Sequence, residues 1–335
     1  MIEGVTFNIP IIGVGNLSVG GTGKSPMVEY LANMLKDKYP IATLSRGYKR
    51  RTSGYVLASD KTTAIEIGDE PMQFHLKHPD IAVSVGEKRI EAIPQLLYDR
   101  PETKIVILDD AFQHREINAG LNILLTDYAN LYTRDFFLPT GDLRDQKSSA
   151  QRADIMVVTK CPSHISEHHH FLIMKELNPL HHQHVFFTSI KYNIPYHIVT
   201  GKAKELSKED EVLLVCGIAN PEPLTSYIHE STATYDALFF SDHHIFSIDD
   251  LDVIVSRFNN ITNKQTIILT TEKDAVRLVK FIDKLAELPF YVLPISFTFL
   301  FEQEKEFNDI INQYPSDFYT DNNQSDPFSN TQSFV

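Results

Sequence analysis

No stretch of this sequence approaches the roughly 18 consecutive apolar residues that mark a membrane-crossing helix. The opening residues, MIEGVTFNIP, also lack the basic and apolar blocks of a secretory signal. Neither a span nor export is expected. Cysteine is nearly missing: Cys161 and Cys216 stand alone and far apart, which excludes a disulfide framework and predicts a reducing, cytoplasmic setting. Positive charge is in deficit. With 31 Lys and Arg against 44 Asp and Glu the formal net charge is −13, which argues against a protein that wraps nucleic-acid phosphates but leaves room for a local basic pocket.

What the sequence does hold is enough apolar material, 42% of 335 residues, for two cores, and two domains are expected at roughly 100 to 200 residues each. Short runs rich in Val, Ile and Leu recur through the first 160 residues: IPIIGV, IATLS, IAVSV, KIVIL, LNILLT and ADIMVVT. Runs apolar throughout suit strands covered on both faces, so a mostly parallel sheet flanked by helices is predicted. A first helix is expected from Pro26, with Met27, Tyr30, Leu31, Met34 and Leu35 as its apolar stripe.

The texture changes past residue 185, where VFFTSIKYNIPYHIV reads as extended chain and GKAKELSKED as a polar connection. The expected organisation is a larger domain over residues 1–190, a linker over 191–210 and a smaller α/β domain over 211–314. Residues 315–335 are polar, acidic and interrupted by proline, a composition expected to stay disordered.

The most informative stretch is VGNLSVGGTGKSPMVEYL, residues 14–31, where an apolar run gives way to a helical pattern. That is the place for a phosphate-binding loop, but the strict pattern G-x-x-x-x-G-K-[ST] asks for glycine where Ser18 stands. The chemistry is present without it. Gly20, Gly21 and Gly23 let the backbone approach an anion, the helix N-terminus favours negative charge, Lys24 can reach the terminal phosphates, and Ser25 can ligate magnesium. The candidate nucleotide-binding residues are Ser18, Val19, Gly20, Gly21, Thr22, Gly23, Lys24 and Ser25. Val19 occupies the place where one class of dimerising ATPases carries an additional lysine, so a partitioning ATPase is not expected.

A second stretch, KIVILDDAFQHR over 104–115, is a β-run ending in two acids. At the carboxyl edge of a parallel sheet, beside a phosphate loop, such acids can handle magnesium. If the strand persists, its alternation sends Asp109 and Asp110 in different directions, one toward metal and the other toward a substrate hydroxyl. The expected fold is therefore α/β, of P-loop NTPase type, with a second smaller α/β domain.

At this point the chain resembles the tetraacyldisaccharide 4′-kinase (lipid A 4′-kinase) family. VGNLSVGGTGKSP, LSRGY, GDEP, LDDAFQHR, LPTGDLRD, CGIANP, DHHIF and TTEKDAVRL occur in that family's order over residues 14–278. The resemblance makes Ser18 a family feature. It implies ATP and Mg2+ as cofactors and transfer of the γ-phosphoryl group to the 4′-hydroxyl of tetraacyldisaccharide 1-phosphate. It implies that Lys24 and Ser25 bind phosphates and magnesium, that Asp109 is the base, that Asp110 is a metal ligand and that His243 supports the base. The opposite order within the acid pair fits the sequence as well.

Members of that family carry an additional N-terminal hydrophobic and amphipathic helix, and here 13 residues precede the loop motif. Peripheral contact with the cytoplasmic face of the bacterial inner membrane, weaker than theirs, is the expectation. Lys49, Asp142 and Asp145 depart from the family's usual glycine, proline and glutamate without changing the predicted activity. The other class that fits is a nucleotide-switched binding protein driven by hydrolysis at the same loop.

Two histidine-rich runs, HHH at 168–170 and HHQH at 181–184, invite a metal reading. Consecutive helical positions point about 100° apart, so a polar helix face is the simpler expectation. The aromatic run FTFLF at 297–301 is expected to be a buried strand or core element.

Overall fold

A computed structural model describes residues 4–261 and 265–324. Its elements begin with β1 (Ile11–Asn16), α1 (Lys24–Leu35), β2 (Ile41–Ser45), β3 (Val56–Leu57), α2 (Ala64–Ile67), α3 (Asp69–Lys77), β4 (Ala82–Val85) and α4 (Arg89–Asp99). They continue through β5 (Ile105–Asp109), β6 (Leu121–Asp127), β7 (Ile155–Thr159), α5 (Glu167–Leu177), β8 (His184–Tyr192), β9 (Tyr196–His197), β10 (Glu211–Cys216) and α6 (Glu222–Ser231). The last are β11 (Thr234–Phe239), α7 (Ile248–Asn259), β12 (Thr266–Thr271), α8 (Glu272–Leu278), α9 (Ile282–Leu285), β13 (Phe290–Leu293), β14 (Ile295–Phe299) and α10 (Glu304–Gln324).

The chain divides into two compact units. The first takes residues 4–62, 74–190 and 297–324, and the second takes 63–73, 191–261 and 265–296. The first unit is built on a sheet ordered β14-β8-β7-β6-β1-β5-β2-β4-β3. The pairings of β1 with β5 and β6, of β2 with β4 and β5, and of β7 with β6 and β8 are parallel, and β3 runs antiparallel to β4. Every residue of β1, β5 and β7 is buried, as strands covered on both faces require. On one face Val106 and Leu108 of β5 pack with Ala92, Ile93 and Leu96 of α4. Val14 stands in register with Asp109, so the ends of β1 and β5 open side by side, where a parallel sheet presents its ligands.

The second unit holds a sheet ordered β11-β10-β12-β13-β9. Alternation along β10 splits its side chains between two cores: Leu213 and Val215 pack with Phe246, Leu251 and Ile254, while Val212, Leu214 and Cys216 pack with Leu224 and Ile228. Both cysteines are free and buried.

Four differences from the sequence expectation have physical reasons. Helix α1 starts at Lys24, and its buried stripe runs through Met27, Val28, Glu29, Leu31, Ala32 and Leu35; Tyr30 and Met34 are half-buried beside it, and the Tyr30 ring packs in an aromatic group with Phe297, Phe299 and Phe307. The segment expected as a linker contributes β9 to the second sheet, held antiparallel to β13. Residues 297–314 belong to the first unit, because β14 lies beside β8 in its sheet. The tail expected to be disordered from residue 315 is helical through Gln324. A polar composition there conceals a stripe: Phe307, Ile311 and Pro315 are buried at four-residue spacing, and the Tyr319 hydroxyl donates to the Lys104 carbonyl over 2.6 Å. Residues 325–335 lie outside the described residues.

Candidate active site

The loop leaving β1 turns into α1 through Gly20 (φ 99°) and Gly23 (φ 86°), backbone conformations that L side chains resist. Gly23 caps a helix with no acid in its first turn, so the N-terminal dipole and N–H groups present undiminished positive potential. Val19, Gly20, Gly21 and Ser25 line the exposed or half-buried stretch of this loop, and Thr22 turns inward.

Asn16, wholly buried at the end of β1, organises the centre. Its amide nitrogen donates to Thr22 Oγ1 over 2.8 Å, and its Oδ1 accepts from Lys24 Nζ at 3.2 Å and from Arg144 at 2.6 Å. The Gln113 side chain donates to the Asn16 carbonyl at 2.8 Å. Ser18, in the place of the strict loop's glycine, donates to Asp135 Oδ2 at 3.2 Å. That bond ties the glycine-rich loop to residues 135–144, together with Val19 N–H to the Asp142 carbonyl (2.7 Å) and Arg144 N–H to the Leu17 carbonyl (2.9 Å). Asp142 thus acts here through its backbone, while the Asp145 carboxylate accepts from Arg115 and Ser149 at 3.0 Å each.

Strand β5 ends at Asp109, and Asp110 turns left-handed with φ 55°. Strand alternation therefore ends at Asp109 and does not set the direction of Asp110. Arg144 grips both Asp110 oxygens, and Lys24 Nζ stands 3.4 Å from Oδ1. Burial pushes the Asp110 carboxyl up, but the Arg144 hydrogen bonds and the Lys24 and Arg144 charges outweigh it and bring the pKa down to about 2. Asp109 is 7% exposed, and its carbonyl accepts from the buried Arg89 at 3.0 Å.

In the second unit His243 takes a left-handed backbone (φ 62°) and sets Nδ1 2.8 Å from Asp69 Oδ2. Lys273 Nζ lies 3.2 Å from Nε2. The Arg277 guanidinium stands 2.9 Å from Nδ1, so a donor-only cation faces each ring nitrogen and these contacts select neither tautomer. Arg277 donates to Asp69 Oδ1 at 2.8 Å and also contacts Oδ2. Burial raises the Asp69 pKa, and bonds from Arg277 and His243 reverse this to about 2. Behind them Asp274, fully buried, accepts from Gly217 N–H at 3.0 Å and Thr271 Oγ1 at 2.7 Å.

With this geometry in hand, the family model described as LpxK, tetraacyldisaccharide-1-P 4′-kinase, matches residues 1–315. The chain belongs to this family. It is 44% identical over 318 residues to the tetraacyldisaccharide 4′-kinase of Flavobacterium johnsoniae, covering 94% of this chain and 89% of that one. With the same-named kinase of Bacteroides thetaiotaomicron the identity is 43% over 323 residues, 92% and 85% covered. The crystal structure of LpxK from Aquifex aeolicus in complex with ATP superposes with a TM-score of 0.71 at 26% identity, covering 93% of this chain and 90% of that one.

Within this kinase the sequence reading missed the roles of Asn16, Arg89, Arg144, Asp69 and Arg277. Four of them sit inside stretches it had singled out, VGNLS, LPTGDLRD, GDEP and TTEKDAVRL, but their partners are far along the chain. Arg277 and Asp69 are 208 residues apart. Arg89 lies in none of those stretches, and a buried arginine opening a helix has no sequence signature.

Proposed function

We propose that this kinase runs its chemistry on Lys24, Ser25, Arg144 and the acid pair in the first unit, with Asp69 and His243 in the second. As a tetraacyldisaccharide 4′-kinase, the enzyme phosphorylates the 4′-hydroxyl of tetraacyldisaccharide 1-phosphate in lipid A biosynthesis, with ATP as the donor. The observation that carries the residue assignment is the Lys24–Asp110–Arg144 cluster where β1 and β5 end. The glycine-rich loop and the α1 N-terminus cradle phosphate oxygens, and Lys24 leaves Asp110 for the terminal phosphates as they arrive. Arg144 keeps its hold on Asn16 and adds positive charge where the transferring group spreads its negative charge.

The donor set suits magnesium: oxygen ligands, with one ionised carboxylate. Ser25 and Asp110 would hold the ion, which would supply positive charge against the phosphates when bound. Lys24 touching Asp110 supports giving the metal role to Asp110, which leaves Asp109 as base toward the acceptor hydroxyl. The family resemblance gives His243 the supporting role to that base, and within its own unit His243 lies 2.8 Å from Asp69.

Among the described residues no helix is long and apolar enough to cross a membrane; the peripheral contact with the inner membrane belongs to this proposal because the acceptor is a lipid. The test is ADP formation with and without detergent-dispersed tetraacyldisaccharide 1-phosphate. Acceptor-dependent ADP with an equal yield of bisphosphorylated product is expected. Turnover indifferent to acceptor would mark a nucleotide switch instead.

A further inference from the structure

The loop that carries Arg144 to Asp110 also carries an apolar tip in full view of solvent. Phe136, Phe137 and Leu138 are 68%, 50% and 53% exposed, and Val19 of the adjoining phosphate loop is 40% exposed. Residues 136–140 are all exposed, so the tip is a protrusion and not a groove. It is built rather than loose. Asp135 Oδ1 accepts from the N–H groups of Phe136 (2.8 Å) and Asp142 (3.0 Å), Leu138 N–H donates to the Leu143 carbonyl (3.0 Å) and Leu143 N–H to that of Phe136 (2.9 Å). Below the tip Leu131, Tyr132 and Leu143 are buried in the core. A frame this well bonded holds three adjacent large apolar side chains in water, which soluble surfaces rarely do without a partner.

Charge narrows the partner. Residues 136–141 carry none. Lys147 sits 5.9 Å from the Phe136 ring centroid and donates to the Thr133 carbonyl at 2.6 Å, while Arg134, two residues before Phe136, is half exposed and paired with Glu176. In a chain of net charge −13, an uncharged aromatic tip with Lys147 beside its ring fits the boundary of an anionic bilayer, where rings enter among acyl chains and the cation meets headgroups. The substrate points the same way. Its phosphate acceptor must reach the loop at Lys24 while its four acyl chains stay out of water, and the tip belongs to the segment touching that loop. A protrusion cannot enclose chains, but it can insert between them.

We propose that Phe136, Phe137 and Leu138 are the kinase's insertion into an anionic phospholipid bilayer, setting the phosphate loop at the membrane surface. This rests on the lipid-kinase reading. The chain contains no tryptophan, so Phe137→Trp gives a single reporter, with Tyr98→Trp, at a residue 86% exposed on α4, as the control. With vesicles of phosphatidylglycerol and phosphatidylethanolamine, the Phe137→Trp emission shifts to the blue and is quenched by brominated acyl chains, while the control stays unchanged. Phe136→Ser/Phe137→Ser lowers vesicle binding and activity on vesicle-embedded acceptor at least tenfold, and keeps near wild-type activity on acceptor dispersed in detergent. An unshifted Phe137→Trp reporter, or a double variant that binds vesicles like wild type, overturns the proposal. Equal loss of activity in detergent and in vesicles with binding retained also overturns it, since the tip would then serve the substrate's own chains. Absence of transfer by the wild type in detergent would refute the kinase reading instead, while the emission data would still judge the tip.

Discussion

Lys24 Nζ lies 3.4 Å from Asp110 Oδ1, and Arg144 grips the same carboxylate. Two cations share one acid, so Lys24 can move to incoming phosphate without stranding Asp110, which keeps Arg144. Lys24→Ala is therefore expected to fold, with a melting temperature within a few degrees of wild type, and to lower kcat by roughly 10²- to 10³-fold at saturating ATP and magnesium, the scale for losing one transition-state electrostatic group. Steady-state kinetics on the purified variant checks this; wild-type turnover would remove the phosphate-loop assignment.

Arg144 holds two partners at once, both Asp110 oxygens and Asn16 Oδ1. Lysine offers a point charge in place of a planar fork. Arg144→Lys should lose at least tenfold in kcat/KM despite unchanged charge, with Arg144→Ala worse. A lysine variant equal to wild type would mean that charge alone matters there.

Asp69 gives a pH signature. Its pKa falls from the ordinary 3.8 to about 2 in the folded protein, so the unfolded chain binds its proton more readily. The stabilisation is complete above about pH 4 and fades as the pH drops through about 2. Asp69→Asn should cost roughly 1–2 kcal/mol at pH 7, less than the roughly 3–5 kcal/mol of breaking a fully buried pair because Asp69 is partly solvated. Urea unfolding of variant and wild type should converge between about pH 4 and pH 2; a difference independent of pH would show that charge is not its source.

Tyr314 shows where sequence reading stops. Its hydroxyl accepts from Ile11 N–H at 3.1 Å and donates to the Ile11 carbonyl at 3.2 Å. Pairing of β1 with β6 begins one residue later, at Ile12, so one side chain completes the strand's ladder. Gly120 is required beside it, because a Cβ there would collide with the Tyr314 ring. Tyr314→Phe should cost about 1 kcal/mol in denaturant unfolding and leave kcat/KM unchanged. A change in activity without loss of stability would assign the helix another role.

The strands, by contrast, were legible because burial on both faces writes itself locally as runs such as KIVIL, and the turn from β1 into α1 because its glycines stand together in the sequence. The helix around Tyr314 was not, since its apolar positions are spaced by four within a polar composition and its anchor is 303 residues away. Arg144 and Asp69 escaped for the same reason: an ion pair between distant segments leaves no periodicity in either. The left-handed turn at Asp110 was invisible as well, because aspartate carries no mark of the conformation it will take.

The last question is which carboxylate works with His243. The family resemblance couples it to Asp109, whereas the contact in the second unit is with Asp69, 2.8 Å from Nδ1. If His243 and Asp69 act together in proton transfer, losing either partner should cost roughly 10²- to 10⁴-fold in kcat with little change in the KM for ATP. Groups that act as one unit are not additive. His243→Ala combined with Asp69→Asn should be scarcely slower than His243→Ala alone, and the same should hold with Asp109→Asn if Asp109 and His243 share the proton's path. Coupling confined to Asp69 and His243, with Asp109→Asn multiplying the loss, would make the His243–Asp69 pair the base and release Asp109 from that role. Multiplicative losses in both cycles would leave His243 no part in proton transfer, and its bond to Asp69 would then be structural.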